Sequence, residues 1–245
     1  MAEPLLHVEN LGKRFGGFVA LEGLNLSVMQ GERVGLIGPN GSGKSTLVNC
    51  MCGTLHNETG SVRFDGQVVD GLAAHQRTHR GMARSFQLPR PFVTLTVAEN
   101  LRIPLLYTAH TRSGRHLTQE ESAARCHELA SLVGLAAKAN KLPRDLTQVE
   151  MRKLELARAI AAEPKLLIAD EAMAGLSQSE VDEIVALLIK MNERGVTIIM
   201  IEHIMRAVMA FSQRLVVLVT GKKIADGAPQ EVVSHPEVIG AYLGQ

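Results

Sequence analysis

Apolar and polar residues alternate with period two in "LLHVENL", "LNLSVMQGE" and "RVGLIG", which predicts three short strands separated by turn residues. The next stretch, "STLVNCMCG", changes to helical spacing and stops at Gly53, a residue suited to closing a helix. "SVRFDGQVV" returns to alternation around Asp65-Gly66, a favoured pair for a two-residue hairpin turn. From about Leu88 to Ala162 the texture is helical. Thr118 and Glu121 form a capping box that opens a helix running to about Leu132. Thr147 and Glu150 repeat that box at the head of "LTQVEMRKLELARA". Beyond Pro164 the predicted order is strand "KLLIAD", a helix from Gln178 to Glu193, strand "VTIIMIE", helix "IMRAVMAFS" and strand "RLVVLVT". In the Gln178 helix, Val181, Ile184, Val185, Leu188 and Met191 recur at helical spacing, so one face is buried. Strands alternating with helices imply an α/β fold with a largely parallel sheet covered on its faces. Residues 88–162 read as a helical subdomain inserted into it.

Composition narrows the class. A chain of 245 residues can bury one large core, or one core with an attached subdomain. Apolar residues at 46% and charged residues at 21% are ordinary for a soluble globular protein. No run approaches the ~18 apolar residues of a membrane span. The start, "MAEPLLHVENLGKRF", lacks the basic residues and apolar run of a signal peptide, so a cytoplasmic location is expected. A net charge of +1, no basic stripe and no Trp argue against nucleic acid as a partner. Cys50, Cys52 and Cys126 form no CxxC pair and read as packed thiols. His75 and His79 in "HQRTH" are four apart but lack the Glu of a zincin motif and an evident third ligand, so they read as solvated side chains. "KRF" at 13–15 and the lysines at 222 and 223 read as solvated turns.

The chemistry is carried by two segments. "GPNGSGKST" is Gly38, Pro39, Asn40, Gly41, Ser42, Gly43, Lys44, Ser45 and Thr46, and it fits G-x-x-x-x-G-K-[ST] between a strand and a helix. Glycines let the backbone curl so that successive N–H groups face phosphate oxygens, and the helix N-terminus adds positive potential. Lys44 supplies a charge for the β- and γ-phosphates of ATP, and the Ser45 hydroxyl can reach Mg²⁺. "LLIADE" delivers Asp170 and Glu171 to the C-terminal edge of the sheet, where ligands of α/β folds sit. Asp170 is the expected Mg²⁺ ligand. Glu171 is the expected base or orienter for the attacking water.

With these segments the chain resembles the nucleotide-binding subunits of ABC transporters over nearly its whole length. The resemblance implies a P-loop ATPase core with a mixed, mainly parallel sheet, an antiparallel β subdomain and an inserted helical subdomain. Residues 1–87 and 163–245 would form the core and 88–162 the helical part. It further implies that Phe15 stacks on adenine, that Gln87 contacts Mg²⁺ and senses a membrane partner, and that His203 contacts the γ-phosphate. Thr147 and Glu150 would lie in the segment that meets the γ-phosphate held by an opposite subunit. Within that segment Gln148 and Val149 stand where such subunits have two glycines, and Ser177 in "AGLS" replaces the usual Asp of an interface loop.

"RFGGFVAL", "ARSFQLPRPFVTLTVAENL" and the tail "HPEVIGAYLGQ" are most similar to the ATPases of branched-chain amino-acid importers. That implies transmembrane permease subunits and a periplasmic solute-binding protein as partners, with the chain peripheral on the inner face of the cell membrane. The loss of the glycine pair implies a heterodimer with a second, different ABC ATPase subunit. A lipopolysaccharide-export ATPase, whose body and tail are similar, and a structural or regulatory subunit with weak hydrolysis remain the alternatives.

Overall fold

The computed structural model describes residues 3–86, 89–109, 114 and 117–243. Its strands are β1 (Leu6–Phe15), β2 (Phe18–Val28), β3 (Arg33–Ile37), β4 (Thr59–Phe64), β5 (Gln67–Val68), β6 (Met82–Ser85), β7 (Leu166–Asp170), β8 (Thr197–Ile201), β9 (Arg214–Val219) and β10 (Lys222–Gly227). Among the described residues they form two sheets: an antiparallel one in the order β2-β1-β4-β5, and a six-stranded one in the order β10-β9-β3-β8-β7-β6. The larger sheet is parallel except for β10. This is the α/β P-loop architecture expected from the alternation of elements.

Every residue of β7 and β8 is buried, as a parallel sheet covered on both faces requires. Alternate residues feed opposite faces. Leu167, Ala169, Ile198 and Met200 join the core shared with the helices Gln148–Ala161 and Gln178–Glu193. Leu166, Ile168, Ile199 and Ile201 join the core beneath the helix Lys44–Cys52 and the antiparallel sheet.

Local sequence signals set many of the boundaries. In the β4–β5 hairpin Asp65 and Gly66 have φ of 52° and 73°, the pair of positive values that matches strand twist in a two-residue turn. The helix Lys44–Cys52 ends on Gly53 at φ 76°. Thr118 accepts from the Glu121 N–H at the head of the helix Gln119–Leu132.

The helical insertion leaves the sheet after β6 and returns on β7, and these strands are neighbours, with Met82 opposite Leu166. Its base is therefore narrow. The helices Val97–Pro104, Gln119–Leu132 and Gln148–Ala161 pack on one another through Leu101, Cys126, Leu129 and Leu154. No helix among the described residues is long and apolar enough to cross a membrane.

Two expectations are corrected. Lys13 to Phe15 lie in β1, and Lys222 and Lys223 lie in β10, so none of them occupies a solvated turn. Lys13 pairs with Glu58 at 3.2 Å and Lys223 with Asp226 at 2.6 Å. β6 is absent from the sequence pattern because four residues containing Arg84 carry no alternation of their own. Between His75 and His79 stands a buried Arg77, which donates to the Cys50 and Met51 carbonyls at 2.7 and 2.8 Å. It thereby satisfies the C-terminal acceptors of the helix Lys44–Cys52 and places positive charge at the negative end of its dipole.

Candidate functional site

Sheet register builds the site. Ile201 of β8 stands opposite Leu36 of β3 on one side and Asp170 of β7 on the other. The three strands therefore end level, and the residues after them, Gly38, Glu171 and His203, emerge on one edge. Glu171 extends the pairing by donating its N–H to the Ile201 carbonyl at 2.9 Å. Its φ of 46° lies in the left-handed region, which is uncommon for a residue with a side chain and typical of functional turns.

The phosphate loop sits in a tight seat. A Cβ on Gly38 would stand 2.1 Å from the Leu218 carbonyl oxygen, and one on Gly43 would stand 2.7 Å from that of Ala20. Only glycine keeps the loop that close to β9 and β2. Lys44 Nζ curls over the loop and donates to the Gly38 and Pro39 carbonyls at 2.7 and 3.0 Å. Burial pushes the Lys44 ammonium below its ordinary pKa, while the nearby charges of Glu171 and Asp170 pull it back up. Lysine and both acids thus share one electrostatic neighbourhood. The helix Lys44–Cys52 begins without a side-chain cap and has no acidic residue in its first turn, which suits an anion at that end.

Asp170 is buried and held by Arg84 of β6, whose Nη2 and Nε both bond Oδ2. Oδ1 takes no part in that pair. Together with the exposed hydroxyl of Ser45 it offers the hard oxygen donors that Mg²⁺ prefers, so the donor set fits that ion. Phe15 ends β1 with 47% of its surface exposed and Lys13 Nζ 5.5 Å from the ring centroid. It is not a core residue. His203 is exposed beside the buried Glu202. Gln87 lies outside the described residues.

The segment at 147–150 folds as a helix start. Thr147 accepts from the Glu150 N–H at 3.4 Å, and Glu150 accepts from the Thr147 N–H at 2.8 Å. Lys138 joins this box at 2.7 Å from the Glu150 carboxylate. Gln148 is exposed at its tip but leans on the loop at 174–177, its Nε2 2.8 Å from where a Cβ on Gly175 would stand. Val149 is half-buried against the helical core.

Several supporting residues escaped the sequence reading. Arg84 and Glu202 were not singled out, because a charged residue at a strand end has no visible partner in the sequence. Arg152 donates to the Ala174 carbonyl at 3.2 Å across the 174–177 loop. Tyr242, in the terminal helix Pro236–Leu243, has its hydroxyl pushed above its ordinary pKa by burial, with the Gly38 backbone opposing that shift. The second cause sets it against the first residue of the phosphate loop. The three thiols are free, with Cys50 and Cys126 buried and Cys52 raised to about 11 by burial.

Residues 21–174 match a family model described as ABC transporter. Residues 222–245 match one described as branched-chain amino acid ATP-binding cassette transporter. The high-affinity branched-chain amino acid transport ATP-binding protein BraF of Pseudomonas aeruginosa is 37% identical over 255 residues, covering 100% of both chains. Its counterpart LivG of Escherichia coli is 36% identical over 258 residues, again covering 100% of both. Among solved structures, the ADP conformation of MJ1267, an ATP-binding cassette of an ABC transporter, superposes with a TM-score of 0.89 at 30% identity over 100% of both chains.

Proposed function

This chain belongs to the ABC transporter family and is an ATPase, and we propose that its hydrolysis drives uptake of branched-chain or related amino acids through partner permeases. The tail match and the relatives' names favour import over lipopolysaccharide export. The observation that carries the reading is the level ending of β3, β7 and β8, which gathers Lys44, Asp170, Glu171 and His203 on one edge.

On that edge Lys44 and the loop amides bind the β- and γ-phosphates. Glu171 orients a water and takes its proton as the water oxygen bonds the γ-phosphorus. The bond from that phosphorus to the bridging oxygen breaks, ADP carries the released electron pair, and phosphate leaves. His203 faces the γ-phosphate across the edge. Asp170 and Ser45 would hold Mg²⁺, which when bound offsets phosphate charge. Phe15 stacks on the adenine, and Gln87 takes the Mg²⁺-contacting, partner-sensing role that the family resemblance implies. Burying two ATP molecules between two subunits favours the closed pair, and hydrolysis releases it.

A cleft of ≈ 250 Å³ lies between the end of the phosphate-loop helix and the helical insertion, lined by Cys52, Arg84, Phe86, Pro104, Thr108 and Arg158. Exposed Phe86, Phe92, Val93 and Tyr107 add apolar surface to the insertion. We assign this face to a permease helix, with the chain peripheral on the inner membrane face and a periplasmic binding protein supplying solute. Because Gln148 and Val149 replace the glycine pair, the second ATPase in this reading is a different subunit.

The test is reconstitution in proteoliposomes with candidate permease subunits, a second ABC ATPase subunit and a periplasmic solute-binding protein. ATP hydrolysis and leucine uptake should rise together. Lys44→Ala should abolish both and weaken ATP binding by at least about tenfold, the loss expected for one charge-assisted contact. Hydrolysis without uptake of any branched-chain or related amino acid would remove the solute assignment.

A further inference from the structure

Glu202 is a buried carboxylate to which the hydrolysis steps above give no task. It stands one residue past β8 and is 3% exposed. Oε1 accepts the Met173 N–H at 2.9 Å, in the loop that follows Glu171. Oε2 is buried, meets no donor at hydrogen-bonding geometry, and faces Nδ1 of His203 at 4.0 Å.

The charged groups around it pull in both directions. Burial raises the Glu202 pKa, the Met173 N–H and His203 oppose that shift, and Glu171 repels the charge. From the helix Gln148–Ala161, Arg152 feels the Glu202 charge while its Nη2 donates to Ala174 in the same loop. A buried ionised carboxylate is costly unless its oxygens are bonded. Holding Met173 does not require one, because a glutamine oxygen accepts the same N–H. What only a carboxylate adds is an anionic acceptor aimed at the imidazole. With that acceptor at Nδ1, both ring nitrogens can carry hydrogens, and Nε2 is left as a donor for phosphate.

We propose that Glu202 is a positioning residue for hydrolysis. Its Oε2 takes the Nδ1–H of His203 in the assembled nucleotide site and turns Nε2 toward the γ-phosphate, while Oε1 holds the loop behind Glu171. The proposal rests on the ATPase reading of the edge. It makes Glu202 a side chain that links both arms of the site, bonded to the loop after β7 and facing His203 beyond β8.

Two variants separate orientation from folding. Glu202→Gln keeps the acceptor for Met173 and should fold like the parent; Glu202→Ala loses both contacts. In the full transporter complex, kcat should fall about 10- to 100-fold in Glu202→Gln, the usual cost of removing a partner that orients a functional histidine. KM for ATP should stay within about twofold, since uniform binding is untouched. An arm that needs no turnover uses the assembled complex with ¹⁵N-labelled histidine in this chain and a bound non-hydrolysable ATP analogue, where the His203 ring-nitrogen shifts should differ between parent and Glu202→Gln. Parent-like kcat and nitrogen shifts in Glu202→Gln would overturn the proposal. A parent complex with no ATPase activity would instead sink the functional reading beneath it, and the nitrogen shifts would still decide the contact.

Discussion

Arg84 grips Asp170 with two nitrogens on one oxygen: Nη2 lies 2.5 Å and Nε 3.2 Å from Oδ2. A third nitrogen, Nη1, reaches Asn49 of the phosphate-loop helix at 2.7 Å. One guanidinium thus ties the edge strand β6, the acidic strand β7 and the helix after the phosphate loop. The two side chains are only 17% and 11% exposed, so losing the arginine leaves a carboxylate with little water to replace it. Arg84→Ala should cost about 3 kcal/mol. For a chain of this length that is a drop of roughly 6–12 °C in Tm by scanning calorimetry. Arg84→Lys should recover only part, since an ammonium cannot reproduce the fork. A variant that melts with the parent would remove the pair from the structural account.

Glu171→Gln separates binding from chemistry. The amide keeps the size of the carboxylate and adopts the left-handed backbone with similar strain, so the fold should be unchanged. It cannot take a proton from water. ATP should bind the isolated chain as it binds the parent, by titration calorimetry. Turnover in the complex should fall by at least about 10²-fold, a typical share for a general base. Wild-type turnover would take this residue out of the catalytic role.

The fold was legible where its cause is local. Asp65-Gly66 makes its turn, Gly53 ends its helix, and the Thr118 and Thr147 boxes open theirs, because each needs only backbone within a few residues. It was illegible where pairing across the chain decides. Met82–Ser85 is a strand only because β7 lies beside it. Lys222–Gly227 is a strand because β9 accepts it at the sheet edge, where lysines still reach water and Asp226. The site divides the same way. Lys44, Asp170 and Glu171 belong to contiguous motifs. Glu202 ends an apolar run like any exposed strand terminus, and its partner Met173 stands 29 residues earlier. Arg77 looks like a solvated residue between two histidines until the helix end beneath it is in view.

Glu150 carries a pH signature of the helix start. Its carboxylate titrates below the ordinary 4.5, first because Lys138 bonds it and then because the Thr147 N–H does. The folded state therefore binds the proton more weakly than the unfolded state. The stabilisation is fully present above the unfolded value and disappears as pH falls through the lower folded one. Glu150→Gln should cost about 0.5 kcal/mol at pH 7, chiefly from the partly exposed ion pair with Lys138, since glutamine keeps the box. Urea melts of parent and variant should converge as pH falls through the lowered folded value, where the parent's carboxylate also loses its charge. A gap that stays constant with pH would place the effect in packing.

Gln148 and Val149 bear on the choice of partner subunit. The helix they begin is capped and intact, so the segment is not a decayed relic. What differs is side-chain bulk at the two positions where glycine would let a phosphate approach the backbone. In the proposed heterodimer this segment would complete the opposite subunit's site, and this chain's own Lys44, Asp170 and Glu171 would work with an intact segment from a different partner. A homodimer would hold two blunted sites and turn over slowly. Val149→Gly, alone and with Gln148→Gly, should raise homodimer turnover by roughly tenfold, the effect of about 1.4 kcal/mol of recovered transition-state contact. Val149→Gly should also cost about 1 kcal/mol of stability, from the helix propensity of glycine. Gln148→Gly also releases the contact on Gly175, so the single variants separate phosphate access from loop support. In the heteromeric complex the same changes should add little, because the competent site there does not use this segment. A fast parent homodimer, or a complex in which only the partner's catalytic carboxylate is indispensable, would overturn the asymmetric arrangement.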